Sequence, residues 1–306
     1  MFDRIVLLTD LSDVTRLAFG PLASIANAFA SKVTIFHAYR GSSELFYLEG
    51  DAAKMRALID EADHNRALPT LQAYQQELAA MGVETEIVTR VGSFFDLSID
   101  VLHELEADLA VIATQGLNDF TGRVISSATA RIIRDTKVPL LTVNERFADR
   151  STTWEGFAHI VTPVDFSTPW EGQLRAAENF AVEIGGSVEV VHVVAPLQDQ
   201  TLTTPEGDIL VPKDLQYQLR KRLMTRLSDV AHSVQRAPAF WKLSEDNKAG
   251  SGVMSWADRS GADLIVVPAI GRDQTRNALL GSAAEHVIKH ARCPVLTLQD
   301  GWAPKA

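Results

Sequence analysis

Short runs of apolar, often β-branched residues alternate with longer amphipathic stretches in the first half of the chain. Such runs predict strands buried on both faces, and the stretches between them predict helices. The predicted strands cover residues 5–8, 33–37, 84–89, 109–113 and 139–143. The predicted helices cover residues 14–30, residues 51–81, which Pro69 can interrupt, residues 94–106, and a stretch from about residue 126.

The same alternation returns in the second half. Its predicted strands lie near residues 159–164, 188–194, 239–243, 264–268 and 294–298. Buried strands that are each separated by a helix indicate a parallel sheet covered on both faces, which is a doubly wound α/β domain. In such sheets ligands bind beyond the carboxyl ends of the strands, near the switch point. The residues that follow strands one, two and four are therefore the candidate positions.

A constant shift of 155 residues aligns the two halves of the sequence. The shift carries Asp10 to Asp165 near the start of each half, and Pro139 to Pro294 near its end. Only a local slip near Gly92 breaks the alignment. A repeat period of this length indicates two tandem domains rather than a solenoid.

We therefore predict two domains of one fold, at residues 1–147 and 156–300, each with a five-stranded parallel sheet flanked by helices. We also expect a pseudo-twofold axis to relate them. The polar residues of the stretch 144–157 follow an apolar run and form the predicted join.

The composition excludes several functional classes. The net charge is −10, so broad attraction to nucleic acid or to an acidic membrane is not expected. No apolar run approaches the roughly 18 residues needed to span a bilayer. Cys293 is the only cysteine, which excludes intramolecular disulfides and zinc ribbons. We expect a cytoplasmic protein.

An aspartate follows strand one in each half, namely Asp10 and Asp165. Such a residue can simply start the next helix through side-chain capping. The functional interpretation is a carboxylate at the switch point that accepts hydrogen bonds from a base or a ribose. The pattern leaves both interpretations open.

The loop after strand four has the same spacing in both halves. Nine residues separate Gly116 from Ser126-Ser127, and nine separate Gly271 from Gly281-Ser282. A loop that leads to a Gly-Ser helix start is a candidate phosphate cradle, because the first turn of a helix offers free N–H groups and a positive dipole end. The alternative is an ordinary loop with a serine N-cap.

Each half resembles the universal stress protein domain, a member of the adenine-nucleotide α-hydrolase-like α/β group. The signature of that family is G-x2-G-x9-G-[ST] after strand four, followed by a last strand of the Cys-Pro-Val-Leu type. The second half reads Pro268-x2-Gly271-x9-Gly281-Ser282 and then Cys293-Pro294-Val295-Leu296. The first half reads Ala113-x2-Gly116-x9-Ser126-Ser127 and then Val138-Pro139-Leu140-Leu141.

The resemblance implies a tandem-domain stress-response module, for binding or signalling, whose ligand is ATP or a related adenine nucleotide. In family members that bind ATP, the strand-one aspartate and the residue after the strand-two histidine contact the adenosine. The loop glycines and the Gly-Ser pair hold the ribose and phosphates. The implied positions are Asp165, Val193, Gly271, Gly281, Ser282 and Ala283 in the second half, and Asp10, Ala38, Gly116, Ser126 and Ser127 in the first.

Neither half keeps the full signature. Ala113 and Pro268 replace the first glycine, and Ser126 replaces the third. Proline locks φ and removes an N–H, and a side chain at Ser126 stands where the backbone should approach a phosphate. Two alternatives therefore remain beside a nucleotide-binding module, a slow ATPase at the same site and an interaction protein whose ligand sites have decayed. No general base or metal carboxylate pair accompanies the loop, which argues against the ATPase.

The remaining candidates have structural explanations. His37 and His192 lie on apolar strands and are interpreted as core histidines with satisfied hydrogen bonds. Cys293 is interpreted as a small buried residue, and Asp108 and Asp263 as turn residues before strand four. No cluster has metal-ligand spacing, and we expect no catalytic residues.

The resemblance also implies an assembly. Single-domain relatives pair through their last strands, so the residues 139–143 and 294–298 are expected to pair within this chain, since pairing covers two apolar sheet edges. A homodimer of the whole chain is a further expected assembly.

Overall fold

The computed structural model describes residues 1–39, 51–114, 127–166, 170–196, 201–204, 207–210, 212–269, 280–299 and 302. The chain divides into two compact units, Met1–Gly156 and Phe157–Ala306. Each unit is a parallel sheet flanked by helices, which confirms the predicted α/β fold class.

The first unit contains five parallel strands. They are β1 (Arg4–Thr9), β2 (Lys32–Tyr39), β3 (Thr85–Val91), β4 (Leu109–Thr114) and β5 (Leu140–Asn144). Their order in the sheet is β5-β4-β1-β2-β3. The chain runs outward from β1 through β2 and β3 and then returns to the other side of β1. The switch point therefore lies between β1 and β4.

The helices of the first unit follow the predicted pattern with one correction. They are a 3-10 helix (Asp13–Ala18), α1 (Phe19–Phe29), α2 (Asp51–Ala80), α3 (Phe94–Glu104), α4 (Ser127–Asp135), a 3-10 turn (Glu145–Phe147) and α5 (Ala148–Ser151). The expectation of one helix over residues 14–30 is wrong, because regular α-helix begins only at Phe19. Pro21 explains this start, since a proline in the first turn of a helix needs no N–H donor.

Helix α2 continues through Pro69 without a break. A proline inside a helix leaves the carbonyl four residues earlier without its partner. That residue is Asn65, which is exposed, as is Pro69. Water can satisfy the carbonyl there, so the helix tolerates the proline.

The second unit repeats this plan. Its main strands are β6 (His159–Pro163), β7 (Ser187–Val194), β10 (Ala239–Glu245), β11 (Leu264–Pro268) and β12 (Val295–Leu298), in the order β10-β7-β6-β11-β12. An additional antiparallel hairpin, β8 (Thr201–Thr204) with β9 (Gly207–Leu210), follows β7. The helices are α6 (Glu171–Ile184), α7 (Lys213–His232), α8 (Ala249–Ser260) and α9 (Ser282–His290).

The strand registers locate the slip in the repeat. In the first unit Val33 of β2 pairs with Thr85 of β3, and in the second Val188 of β7 pairs with Ala239 of β10. The second strand is therefore shifted by 155 residues between the units and the third by 154. The strand order is the same in both units, which confirms the prediction of one repeated fold.

Candidate functional site

The loop after β1 begins with Asp10. Its Oδ1 accepts a hydrogen bond from the backbone N–H of Ser12 at 2.9 Å, and the residue is exposed. An aspartate that bonds the N–H two residues later forms a local turn. Asp10 does not cap the next helix, as the structural alternative expected, because Ser12 is the N-cap of that helix and no side chain caps it. The exposed carboxylate of Asp10 stands at the carboxyl end of the sheet.

The residue after each of these aspartates has a left-handed backbone. Leu11 has φ 65° and Phe166 has φ 60°, and the two positions correspond under the repeat. A non-glycine residue in this region costs on the order of 1–3 kcal/mol. In the first unit Thr9 helps to hold the conformation, because its Oγ1 accepts the N–H of Leu11 at 2.9 Å. Leucine and phenylalanine rarely adopt a positive φ, so the sequence did not predict the left-handed conformation at these two positions.

The strand-two histidines anchor the end of strand one. Nδ1 of His37 lies 2.8 Å from the carbonyl oxygen of Thr9, and Nδ1 of His192 lies 2.6 Å from that of Val164. The ring N–H donates to the carbonyl in both units. Both histidines are therefore satisfied structural residues, as predicted. Burial lowers the pKa of His192, and repulsion by Arg226 lowers it further, while the Val164 carbonyl and Asp165 act against this.

The strand register brings together the predicted adenosine positions. Thr9 pairs with His37, so Asp10 and Ala38 follow on neighbouring strands. The equivalent β6–β7 register, continued by two residues, brings Asp165 beside Val193.

The side chain of Val193 packs towards α8. A Cβ atom built on Gly252 would lie 2.5 Å from Cγ1 of Val193 and 3.0 Å from Cβ of Asp246. Only glycine at position 252 lets the first turns of α8 approach the end of β7 this closely. Val193 thus offers its backbone, rather than a free side chain, at this edge of the sheet.

The start of α9 is tied to the end of β11. The N–H of Gly281 donates to the carbonyl of Ala269 at 2.8 Å, and the N–H of Glu285 donates to the carbonyl of Gly281 at 2.8 Å. Gly281 is the N-cap, with extended backbone and no capping side chain. The N–H groups that follow, those of Ser282 and Ala283, belong to the first turn, where the helix has no internal acceptor for them.

Part of the predicted site lies outside the described residues, namely Gly116 and Ser126 of the first unit and Gly271 of the second. Helix α4 begins at Ser127, in agreement with the predicted helix start. The described portion of the candidate site is therefore more complete in the second unit.

A cation near this edge escaped the sequence analysis. Lys248 is the exposed N-cap residue of α8, and its N–H donates to Oδ1 of Asp246 at 2.8 Å. A Cβ on Gly250 would lie 2.7 Å from Cβ of His286, so the start of α8 packs directly on α9. Burial lowers the pKa of His286, and repulsion by Lys248 lowers it further. Lys248 follows the third strand of its unit, β10, whereas the sequence pattern directed attention to the loops after strands one, two and four.

Aromatic and cationic side chains meet at the loop after β6. The ring of Phe166 lies 4.7 Å from the ring of His192, and the guanidinium of Arg226 lies 4.3 Å above Phe166. In the first unit the helix after strand two plays a comparable part, since the hydroxyl of Tyr74 donates to the carbonyl of Ser12 at 3.2 Å. In each unit, therefore, a side chain from the helix that comes after the second strand, α2 or α7, contacts the loop after the first strand.

Comparison with known proteins identifies the family. The sequence model of the universal stress protein family matches residues 1–144 and again residues 156–299. The chain belongs to this family. The universal stress protein MJ0531 of Methanocaldococcus jannaschii is 28% identical to it over 151 residues, which are 47% of this chain and 82% of that protein.

Solved structures resemble this universal stress protein over nearly its whole length. A universal stress protein from Archaeoglobus fulgidus DSM 4304 matches with a TM-score of 0.67 at 16% identity, covering 97% of this chain and 98% of its own. A functionally unknown protein from Pseudomonas aeruginosa PAO1 matches with a TM-score of 0.61 at 15% identity, covering 97% of this chain and 92% of its own. At these identities the likeness is one of fold.

At the opposite end of the sheet in each unit, an aspartate carboxylate accepts backbone N–H groups at the start of strand one. Asp108 accepts the N–H groups of Asp3 and Arg4 at 2.9 and 3.0 Å, and Asp263 accepts that of His159 at 3.0 Å. These aspartates lie in bends, as expected of turn residues, but they also tie the start of strand one to the start of strand four.

Metal-binding groups and membrane-spanning helices were sought in the described part of this universal stress protein. Within the described ranges, no three His, Cys, Asp or Glu side chains come together in a way that would hold a metal ion. Over the same ranges, no helix has the length and apolar character needed to cross a membrane.

Proposed function

We propose that this universal stress protein binds ATP or a related adenine nucleotide at the carboxyl end of the sheet in its second unit. The observation that carries the proposal is that Asp165 and the uncapped start of α9 stand at the same edge of the sheet. Strands β6 and β11 are parallel neighbours, and Gly281 is bonded to the end of β11. A hydrogen-bonding carboxylate for a nucleoside and a helix start for phosphates therefore lie close together.

Each end of the nucleotide has a chemical counterpart in this arrangement. We assign the adenosine to the carboxylate of Asp165 and the backbone of Val193. The phosphates are assigned to Gly271, Gly281 and the N–H groups of Ser282 and Ala283, with the Ser282 hydroxyl as an added donor. Lys248 supplies a positive charge beside α9, which offsets the repulsion of a phosphate by a chain of net charge −10.

Pro268 is compatible with this proposal. It stands opposite Leu298 in the β11–β12 ladder, and the next N–H, that of Ala269, donates to the Leu298 carbonyl at 2.7 Å. The ladder therefore continues past the proline. The missing N–H matters only if the ligand needs a donor at that point.

The equivalent positions of the first unit form a second, weaker candidate site. They are Asp10, Ala38, Gly116, Ser126 and Ser127. Ser126 brings a side chain to the point where Gly281 has none, so a phosphate approaches the backbone less closely there. We therefore favour the second unit.

The biological role that we infer is a nucleotide-responsive binding or signalling module of the stress response. The location that we infer is the cytoplasm. In the assembly that we infer, the last strands of the two units pair about a pseudo-twofold axis. A homodimer of the full chain extends the same proposal.

Native and gently denatured mass spectrometry of the purified protein tests the proposal, together with calorimetric titration of ATP. We expect co-purified ATP or ADP, or a saturable heat after the nucleotide is removed. Conversion of bound ATP to ADP over time would favour the slow ATPase. Absence of both bound nucleotide and heat would instead favour an interaction protein whose sites have decayed.

A further inference from the structure

Helix α7 is exposed over most of its length. Among its 20 residues only Leu227, Val230 and Ala231 are buried, and all three lie near its C-terminal end. The preceding part carries four exposed large apolar side chains, which are Leu215, Tyr217, Leu219 and Met224, at 47%, 68%, 38% and 39% exposure. Tyr217 and Met224 lie seven residues apart on one face of the helix, whereas Leu215 and Leu219 lie on the opposite face. The exposed aromatic and thioether side chains of the first face are the candidate contact surface.

An open groove of about 580 Å³ runs between α7 and the strand β10. It is lined by Tyr217, Arg220, Lys221, Met224, Thr225, Ser228, Asp229 and Trp241. The spacing from Tyr217 through Met224 to Ser228 puts these residues on one face of the helix. Aromatic and thioether surface thus lines the groove, and cations stand beside it.

The charge of this region is opposite to that of the whole chain. Residues 213–226 contain five cationic side chains and one acidic one, Asp214, in a chain of net charge −10. In the groove itself Arg220 forms an ion pair with Glu245, and Lys221 is exposed. A basic surface on an acidic protein attracts an acidic ligand and repels further copies of itself.

We propose that the groove between α7 and β10 binds an acidic, amphipathic helix of a partner protein. The groove length from Tyr217 to Ser228 is about 17 Å at the helical rise, which matches about three turns of such a helix. The apolar face of the partner packs on Met224 and Trp241, and its carboxylates face Lys221.

Two other occupants fit the surface less well. A symmetric pairing of two α7 helices would set Lys221 and Arg220 against their own copies, which like-charge repulsion opposes. A flat bilayer surface does not reach Trp241 inside a concave groove.

A fluorescein-labelled helical peptide of about 16 residues tests the proposal. It carries Leu at helical positions i, i+4, i+7 and i+11, and Glu at the flanking positions. We expect saturable anisotropy binding to the full-length protein, at least about threefold weaker when the salt rises to about 0.3 M. A control peptide with Lys in place of Glu should not bind.

The matched variants are Lys221→Glu, which lies in the groove, and Arg222→Glu, which makes the same charge change on the same helix outside it. We expect Lys221→Glu to weaken peptide binding about tenfold and Arg222→Glu by less than about threefold. Tyr217→Ala, at an exposed position, should also weaken binding without lowering the melting temperature. Equal effects of the two charge variants, or no binding up to about 1 mM peptide, would overturn the proposal.

Two further measurements separate the other occupants. A mass that rises with protein concentration in sedimentation, and falls in Tyr217→Ala, would assign the groove to a second copy. Co-sedimentation with phosphatidylglycerol vesicles that depends on Lys221 would assign it to a lipid surface. Either result would overturn the partner-helix proposal, whereas a constant mass and no vesicle binding agree with it.

Discussion

The imidazole of His192 is joined to the backbone of Val164, with Nδ1 2.6 Å from the carbonyl oxygen. The bond fixes the end of β6 immediately before Asp165, and His37 makes the same bond to Thr9 in the first unit. A ring that donates from Nδ1 can remain neutral, and burial lowers the pKa of His192 in keeping with this. The histidine therefore positions the candidate site without being part of it.

His192→Gln should destabilise the protein most at neutral and alkaline pH. The loss of a buried hydrogen bond costs about 1 kcal/mol. Because the pKa of His192 is lower in the folded protein than the usual 6.5, its contribution to stability is full above pH 6.5 and is lost as the pH falls through the folded pKa. Urea unfolding of the wild type and the variant from about pH 5 to pH 8 measures this trend. A destabilisation that grows towards acid pH would contradict it.

His159 should show the opposite pH dependence. Its Nε2 lies 3.1 Å from Oε2 of Glu189, which also accepts the indole N–H of Trp256 at 2.8 Å. The bond to Glu189 raises the pKa of His159 above the usual 6.5. Its stabilisation is therefore present below pH 6.5 and is lost as the pH rises through the folded pKa.

The same urea series, run on His159→Gln, measures this second trend. We expect a destabilisation that is larger at about pH 6 than at about pH 8.5. The His192→Gln variant is the internal control, because its pH trend has the opposite sign. Parallel trends in the two variants would show that one of the two assignments is wrong.

The fold was predictable because its signals are local and repeated. Continuous apolar runs such as Ile5–Leu8 and Leu109–Val111 can be buried only inside a sheet covered on both faces, and they are buried. The alternation of such runs with helices leaves little choice but parallel pairing. Asp165 and Val193, by contrast, were expected only from the family resemblance, and it is the observed β6–β7 register, continued by two residues, that sets them side by side.

The details of the site were not predictable for a physical reason. The left-handed backbone of Leu11 and Phe166 opposes the local preference of both residues, so the surrounding contacts must impose it. Lys248 and His286 are 38 positions apart in the sequence, and only the packing of α8 on α9 brings them near each other. Interactions of this kind depend on tertiary structure, which a repeat or a spacing does not encode.

Gly252→Ala should destabilise the second unit although alanine favours helices. The added Cβ would lie 2.5 Å from Cγ1 of Val193, and overpacking of this kind costs about 1–3 kcal/mol, more than the about 0.5–1 kcal/mol that alanine gains in a helix. Gly20→Ala is the matched control, because its Cβ would meet Trp154 at an ordinary 3.6 Å.

A double-mutant cycle tests the cause of this destabilisation. If the clash with Val193 is responsible, Val193→Ala should recover part of the loss caused by Gly252→Ala, giving a coupling of about 1 kcal/mol in thermal or urea unfolding. Strict additivity of the two changes would reject the contact as the cause.

Lys248→Met should weaken the binding of ATP more than that of adenosine. The lysine is exposed beside α9, so its charge acts on phosphates and not on the nucleoside. We expect about a three- to tenfold loss of ATP affinity at low salt and an unchanged affinity for adenosine. Lys242→Met is the control, because that ammonium group lies 4.3 Å from the ring of Trp256. An equal loss of affinity for ATP and for adenosine would show that Lys248 does not interact with the phosphates.

The last prediction concerns which unit binds the nucleotide. Ser282→Ala removes one phosphate donor and should weaken ATP binding by about 0.5–1.5 kcal/mol, which is up to about tenfold. Gly281→Val should weaken it further, because a branched side chain blocks the approach of a phosphate to the backbone. Gly281 is an N-cap with φ −66°, a conformation that valine can adopt, so the variant should still fold. Calorimetric titration ranks these variants against Ser127→Ala, the matched change in the first unit. Loss of binding in Ser127→Ala with binding intact in Gly281→Val would move the site to the first unit.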